Sequence, residues 1–442
     1  MRARAAAAAL LALLLPLCAG AEPAAPDSAL HGFLGGLADS TDRYFGVSAA
    51  PLDTTGLDSA LAARLASPLA TRSRTRLDFD LGPDFGFNRV DGPVYGMWAG
   101  LGDPRPVGRI EGQVHYAAGP NVWLGGGGIR KALGPRDAPW RIRVFAGRLT
   151  EVMDREASDL RLSHLRALVT GSDDLRYYRR DGLEASFGRE SESWLVEAGY
   201  RDMLESPLVT TATWNFFDRR LAVRDNLPAA RGRVHELSYR ATAVLPLAPV
   251  TAEITHATAG QAIGSDFEYR RTRVALAADL GLGRFAALVP QLSYGRLSGA
   301  AVPQASFYLG GAHSLRSVEG ESIGGTGAAL ARLDLIGADD LLALARLPHP
   351  AAIPLQGALF AAAGAVWGVD PYGGRTLPGV DWPHREDWLT EAGVGLLWRP
   401  GLPDPLAFLE FSYAWPLGPA DRDARYAITY TRALDLVHSL GE

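Results

Sequence analysis

From about residue 76 onward, hydrophobic and polar residues alternate singly along the chain, the two-residue period of a strand with unlike faces. Between Leu406 and Trp415, the residues Ala407, Leu409, Phe411, Tyr413 and Trp415 share one face, and Phe408, Glu410 and Ser412 share the other. Thr272, Val274, Leu276, Ala278 and Leu280 form a second such face, opposite Arg271, Arg273 and Asp279. Val196, Ala198 and Tyr200 oppose Glu197 and Arg201 in the same way. An apolar face ending in aromatic residues suits a strand against lipid, with its rings at headgroup level, although a soluble sandwich, with its polar face to water, would also alternate. Segments with this period predict about sixteen strands, near residues 85–100, 107–117, 120–132, 138–150, 175–189, 193–204, 232–245, 249–259, 266–280, 284–297, 303–311, 321–336, 353–367, 388–399, 405–416 and 424–432, an even number as bacterial barrels require. Pro290 speaks against 284–297 as a central strand, because proline offers no ladder donor.

Three connections are long. Residues 151–174 carry Leu162, Leu165 and Val169 on one side of a helical pattern, residues 205–231 are mixed, and residues 337–352 include a turn of helix from Asp339 to Ala345. With both termini periplasmic, strict alternation puts all three on the periplasmic side, where long turns are unusual. Either the long periplasmic turns are a feature of this barrel or the count slips by one in the middle of the chain.

The N-terminal residues follow another logic. Arg2 and Arg4 precede an apolar run, Ala5 to Leu17, too short to span a bilayer, and Ala19-Gly20-Ala21 has the form of a cleavage site. Residues 1–21 are therefore expected to be a secretory signal peptide. The one cysteine, Cys18, falls within it and follows Leu17 rather than the small residue that lipidation requires. Residues 22–75 predict a short helical or irregular periplasmic segment: Leu30, Phe33, Leu34 and Leu37 recur at helical spacing, and Asp53-Thr54-Thr55 can cap a second stretch, Leu57 to Leu65. A flexible lead-in fits the same residues. Residues 76–442 predict the barrel.

Composition narrows the class. No later segment has the 18 consecutive apolar residues of a transmembrane helix, yet 47% of residues are hydrophobic, with 50 Gly, 14 Tyr and 10 Trp. The expected fold is all-β, a transmembrane antiparallel β-barrel of about sixteen strands in the outer membrane of a Gram-negative-type cell, in contact with its lipid. A net charge of -5 argues against nucleic acid as a partner. Gly125-Gly126-Gly127-Gly128-Ile129-Arg130-Lys131 lacks the spacing of a phosphate loop. No metal-ligand or nucleophile motif occurs, and His115, His256 and His313 have no diagnostic neighbours. No cofactor, metal or catalytic activity is expected, although a hydrolase assembled from distant strands stays open.

Within this pattern one stretch stands out, Phe307-Tyr308-Leu309-Gly310-Gly311-Ala312-His313-Ser314-Leu315-Arg316-Ser317-Val318-Glu319-Gly320. It resembles the Gly-Gly…Leu-Arg-Gly-aromatic loop of the bacterial surface antigen family, the assembly and translocation barrels of the BamA/TamA type. Two further stretches are similar to that family: Phe87-Asn88-Arg89-Val90-Asp91-Gly92, like its first-strand signature, and Tyr177-Tyr178-Arg179-Arg180-Asp181-Gly182. The first also reads as a strand and turn with a Gly92 bulge, the second as an interfacial aromatic and basic anchor.

The resemblance implies that the loop bearing Gly310, Gly311, Leu315, Arg316 and Gly320 folds into the lumen and docks its arginine on acidic side chains of the wall. Ser317 and Val318 stand where the family has Gly and an aromatic residue, and Ala362 stands where its Phe-x-Asp-x-Gly strand has aspartate. Asp334, Glu391 and Glu410 have lumen parity on nearby strands and are the candidate partners. Five strand-like runs follow Arg316, as in the family. The implied function is insertion or passage of client polypeptides at a seam between the first and last strands, near Phe85–Gly100 and Tyr426–Arg432. No POTRA pattern is visible, so a passive pore, an anchor or structural outer-membrane barrel, or a barrel served by a separate periplasmic partner are the alternatives.

Overall fold

The computed structural model describes residues 79–432, apart from 106–107, 155–163, 165–166, 169–174, 217–223, 246–249, 284, 312–313, 348–354, 374–381, 399–406 and 419–421. The expected signal peptide, the helices of 22–75, His313 and the pattern of Leu162, Leu165 and Val169 lie outside the described residues.

The strands are β1 (Phe79–Asn88), β2 (Gly92–Leu101), β3 (Arg109–Ala117), β4 (Val122–Leu133), β5 (Trp140–Val152), β6 (Tyr177–Glu190), β7 (Trp194–Pro207), β8 (Gly232–Leu245), β9 (Val250–Ala259), β10 (Tyr269–Ala278), β11 (Leu280–Leu282), β12 (Ala286–Gly299), β13 (Phe307–Leu309), β14 (Ile323–Gly325), β15 (Gly327–Asp340), β16 (Leu355–Trp367), β17 (Leu389–Trp398), β18 (Ala407–Leu417) and β19 (Arg425–Arg432). All but β13 and β14 make one antiparallel meander, each strand paired to the next along the chain. β13 and β14 pair only with each other.

Two strand expectations need correction. The predicted strand 85–100 is two strands, with a tight turn at Arg89–Asp91 between Asn88 and Gly92. The predicted strand 303–311 is not in the wall: it contributes β13 to a small hairpin inside the molecule. The errors cancel, so the wall still has sixteen strands once β10 and β11 are counted as one. These two share one register against β12, and their break, at Ala278 and Asp279, falls opposite Pro290 and Val289. Pro290 lies within the strand after all, and the ladder is interrupted where its missing N–H cannot donate.

The split first strand also reverses the expected sides. Alternation now puts the connections after Val152 and after Pro207 at the end opposite the start of β1 and the end of β19. They lie at the same end as the loop between β12 and β15. The connection after Asp340 stays at the terminal end and holds the short helix Leu341–Leu344, with the Asp340 side chain accepting from the Leu342 N–H.

The two faces of the sheet are inverted relative to a water-soluble protein. Leu333, Leu359, Val394, Phe411 and Trp415 are exposed on the outer face. Glu236, Glu253, Asp334, Glu391 and Glu410 are buried on the inner one. Large apolar residues left outward and charges drawn inward are the arrangement that lipid selects. Among the described residues no helix is long and apolar enough to cross a membrane.

The sheet curls until its two halves meet. Tyr372, between β16 and β17, donates to Met153 Sδ at 3.0 Å, and Arg224, between β7 and β8, donates to the Gly320 carbonyl at 2.9 Å. Such contacts bring together connections that are far apart in the strand order.

Candidate functional site

The loop between β12 and β15 turns into the barrel. Gly310 and Gly311 have φ of 115° and 93°, and a Cβ on Gly310 would collide with the Glu319 carbonyl, so an L side chain is excluded there on two counts. The tip bonds to itself: Gly311 N–H donates to the Leu315 and Val318 carbonyls, and Gly310 N–H to Ser314 Oγ at 2.7 Å. Leu315, fully buried, anchors the tip in an apolar cluster with Phe307, Leu309 and Val318 of the loop and Leu297, Ala362 and Val366 of the wall. Ala362, where the family pattern has an acid, thus lines an apolar seat. Gly320 presents its carbonyl to Arg224.

Arg316 is 2% exposed. Its guanidinium forks onto Glu410 of β18, Nη1 to Oε1 at 2.5 Å and Nη2 to Oε2 at 2.9 Å. Its carbon lies 4.0 Å from the centre of the Phe360 ring, a cation–π contact in a dry setting. Gly393 makes this bed possible, since a Cβ there would run into the Phe360 ring. Glu391 of β17 takes the loop's backbone instead, accepting from Arg316 N–H at 2.9 Å and Ser317 N–H at 2.7 Å. Asp334 of β15 stands 3.7 Å from Nη2 of Arg316 and is forked by Arg332, at 2.7 and 2.9 Å. The structure thus gathers all three candidate acids around Arg316, with three different tasks. Sequence reasoning missed Arg332, Phe360 and Arg422, which donates to Ser317 Oγ at 3.3 Å and to the Thr390 carbonyl at 3.1 Å. Arg332 has the lumen parity of Asp334 and could have been found; Arg422 sits in a connection without a pattern.

The stretch Phe87 to Gly92 is buried throughout at the same end of the barrel. Asn88 caps the turn, its Oδ1 accepting from Val90 and Asp91 N–H at 3.0 and 2.8 Å. Arg89 donates to the Leu175 and Arg224 carbonyls, and its own carbonyl accepts from Thr211 and Ala212. The Val90 carbonyl accepts from Thr211 Oγ1 at 2.9 Å. Asp91 meets Arg179 at 2.9 Å and Thr150 Oγ1 at 2.6 Å. Two stretches read separately in sequence are therefore one buried junction. Tyr177 and Tyr178 are 2% and 1% exposed, which corrects their reading as interfacial anchors.

The junction continues to the inward loop. Glu321, buried at φ 47°, accepts from the Arg176 N–H at 2.7 Å, and the Arg176 guanidinium lies over the Tyr308 and Tyr372 rings. Burial, with the charge of Asp154 second, pushes the Glu321 carboxyl well above its ordinary value. Among the described residues no group of His, Cys, Asp and Glu is placed to hold a metal ion. Forked and capped charges hold the loop against the inner wall.

Residues 237–431 match the model of the Omp85 superfamily domain. That part of the barrel is similar to an Omp85 superfamily domain. The matched stretch runs from β8 to β19 and contains Arg316 with Asp334, Glu391 and Glu410, whereas the β1–β2 turn lies outside it. No curated protein matches the sequence. Among solved structures, the chain is similar to CdiB from Acinetobacter baumannii, at 13% identity and a TM-score of 0.40, over 80% of this chain and 58% of that one. It is similar to CdiB from Escherichia coli at 11% identity and a TM-score of 0.45, over 80% and 61%. A third similarity is to Wzi from Escherichia coli, an outer-membrane protein described as a carbohydrate-binding β-barrel in capsule assembly, at 12% identity and a TM-score of 0.33, over 84% and 86%. The chain spans less than two thirds of the length of either CdiB chain.

Proposed function

We propose that this barrel passes or inserts client polypeptides at the outer membrane, through a seam between β1 and β19. The observation that supports the reading is the strand pairing among the described residues. Every other pair of neighbouring wall strands is laddered, whereas among the described residues no ladder joins β1 to β19. An unpaired strand edge is a template for an incoming strand. β1 is held from the inside, with Asp80 bonded to Arg109 at 2.7 Å and Asp84 to His115 at 2.9 Å, both reaching from β3 past β2. On the other side, Arg316 ties β18 to the inward loop. The seam is thus flanked by braced strands, so its parting need not unravel the wall.

The test is photocrosslinking in cells, with a photoreactive residue at Leu81 on β1, at Ile428 on β19, or at Val196 on β7. Polypeptide adducts are expected at Leu81 and Ile428 and not at Val196. Steady conductance through purified protein, with no adduct at the seam, would instead make the barrel a passive pore.

A further inference from the structure

Lipid-facing walls of barrels are usually convex and featureless, but here one part is hollowed. Between β5 and β9, Trp140, Phe187, Trp194, Val196, Tyr239 and Ile254 line a groove of about 590 Å³, within the size range of small-molecule sites, roughly 300–1,000 Å³. The hollow arises because Ala198 and Ala241 form a low floor between taller neighbours: Ala198 pairs with Phe187 and Tyr239, and Ala241 with Ile254. Arg240 borders the groove but sends its guanidinium to Glu253 inside the barrel. His256, at the far end, has its Nδ1 bonded to Thr272 Oγ1 at 2.9 Å. The lining therefore offers a ligand hydrocarbon and little else.

One end is different. Trp140 begins β5, Trp194 begins β7, and Arg189 lies next to last in β6, so all three mark the terminal end of the barrel. The Trp140 ring stacks on Phe187 at 4.8 Å, nearly parallel. The Arg189 guanidinium lies 5.4 Å from the Trp140 ring and 5.9 Å from the Trp194 ring. Only its Nε has a protein partner among the described residues, the Ala138 carbonyl at 3.4 Å. Its two Nη groups are thus held in place by aromatic faces with their donors unspent. Tryptophan rings mark the boundary between hydrocarbon and headgroups, and a guanidinium fork matches two phosphate oxygens.

We propose that this groove seats an acyl chain of a glycerophospholipid whose phosphate is held by Arg189. The site is a specific lipid seat on the outer face, separate from the lumen and the seam. It combines a concave apolar bed with a cation whose Nη groups have no protein partner among the described residues. A phospholipid fits it in a single pose, with the headgroup at the tryptophans and the chain running toward Ile254.

The test is native mass spectrometry of the full-length barrel released from detergent, titrated with phosphatidylglycerol, phosphatidylethanolamine or lipopolysaccharide. One retained phospholipid per chain is expected. Arg189→Gln should weaken its retention roughly ten-fold or more, the effect of losing charged hydrogen bonds to phosphate. Arg270→Gln, on an exposed arginine at the opposite end, should leave retention unchanged. Unboiled gel migration checks that each variant is folded. Independently, a phospholipid with a photoreactive acyl chain should label peptides containing Phe187 or Ile254 in wild type, above those containing Leu359 or Phe411. Equal labelling around the wall, equal retention in Arg189→Gln, or preferential retention of lipopolysaccharide would overturn the proposal.

Discussion

Arg316→Ala is expected to lower the stability of the folded barrel by about 3–5 kcal/mol, the usual cost of breaking a buried ion pair from one side. The magnitude follows from what stays behind. Glu410 would lose both arms of the fork yet remain 5% exposed, and Phe360 would lose the cation above its ring. Asp334 keeps Arg332 and Glu391 keeps two backbone donors, so the loop is loosened rather than expelled. Arg316→Lys should recover only part of the loss, because an ammonium cannot fork. Glu410→Ala should resemble Arg316→Ala, and the double variant should be milder than the sum of the two. The readout is the temperature at which unboiled, fast-migrating protein converts to the slow form in detergent. Unchanged conversion in Arg316→Ala, together with ready labelling of a cysteine at 316 from outside the cell, would show that the loop is not docked.

Asp91→Ala should have a comparable effect, again about 3–5 kcal/mol, although position 91 is far from 316 in sequence. Asp91 and Arg179 have side chains 2% and 4% exposed and meet at 2.9 Å. Thr150 Oγ1 and Asn88 Nδ2 also donate to the Asp91 carboxylate, at 2.6 and 3.2 Å. Removing the carboxylate leaves Arg179 with Thr150 alone among these partners and unsettles the β1–β2 turn. Arg179→Ala should be similar, and the pair should again be non-additive. Limited proteolysis of the mouth would locate the damage. If Asp91→Ala cleaves and melts as wild type does, the junction is peripheral to stability.

The strands were legible where one face meets lipid. β7, β17 and β18 alternate cleanly because the outer rows must be apolar while the inner rows carry Arg201, Glu391 and Glu410. The two misplaced segments failed for a common reason: apolarity reports burial, not the identity of what does the burying. Phe307 and Leu309 pack against Leu315 inside the lumen, yet in sequence they read as residues facing lipid. The turn at Arg89–Asp91 was legible as one reading of Phe87 to Gly92, a strand and turn with a Gly92 bulge, but the alternation on either side of it ran on as a single predicted strand, 85–100. The acids around Arg316 were legible from parity on neighbouring strands. The pairing of Asp91 with Arg179, 88 residues apart, depends on how far the sheet curls, and no local pattern encodes that.

The central proposal is that a wall laddered elsewhere among the described residues has one weak seam, between β1 and β19. Amide hydrogen exchange on the full-length barrel in a lipid nanodisc tests it most directly. The outward-pointing amides of β1 and β19 are expected to exchange far faster than those of β6 and β7, which are paired on both sides. Protection of β1 and β19 equal to that of β6 and β7 would mean that the wall has no weak seam, and the proposed route for polypeptides would be contradicted.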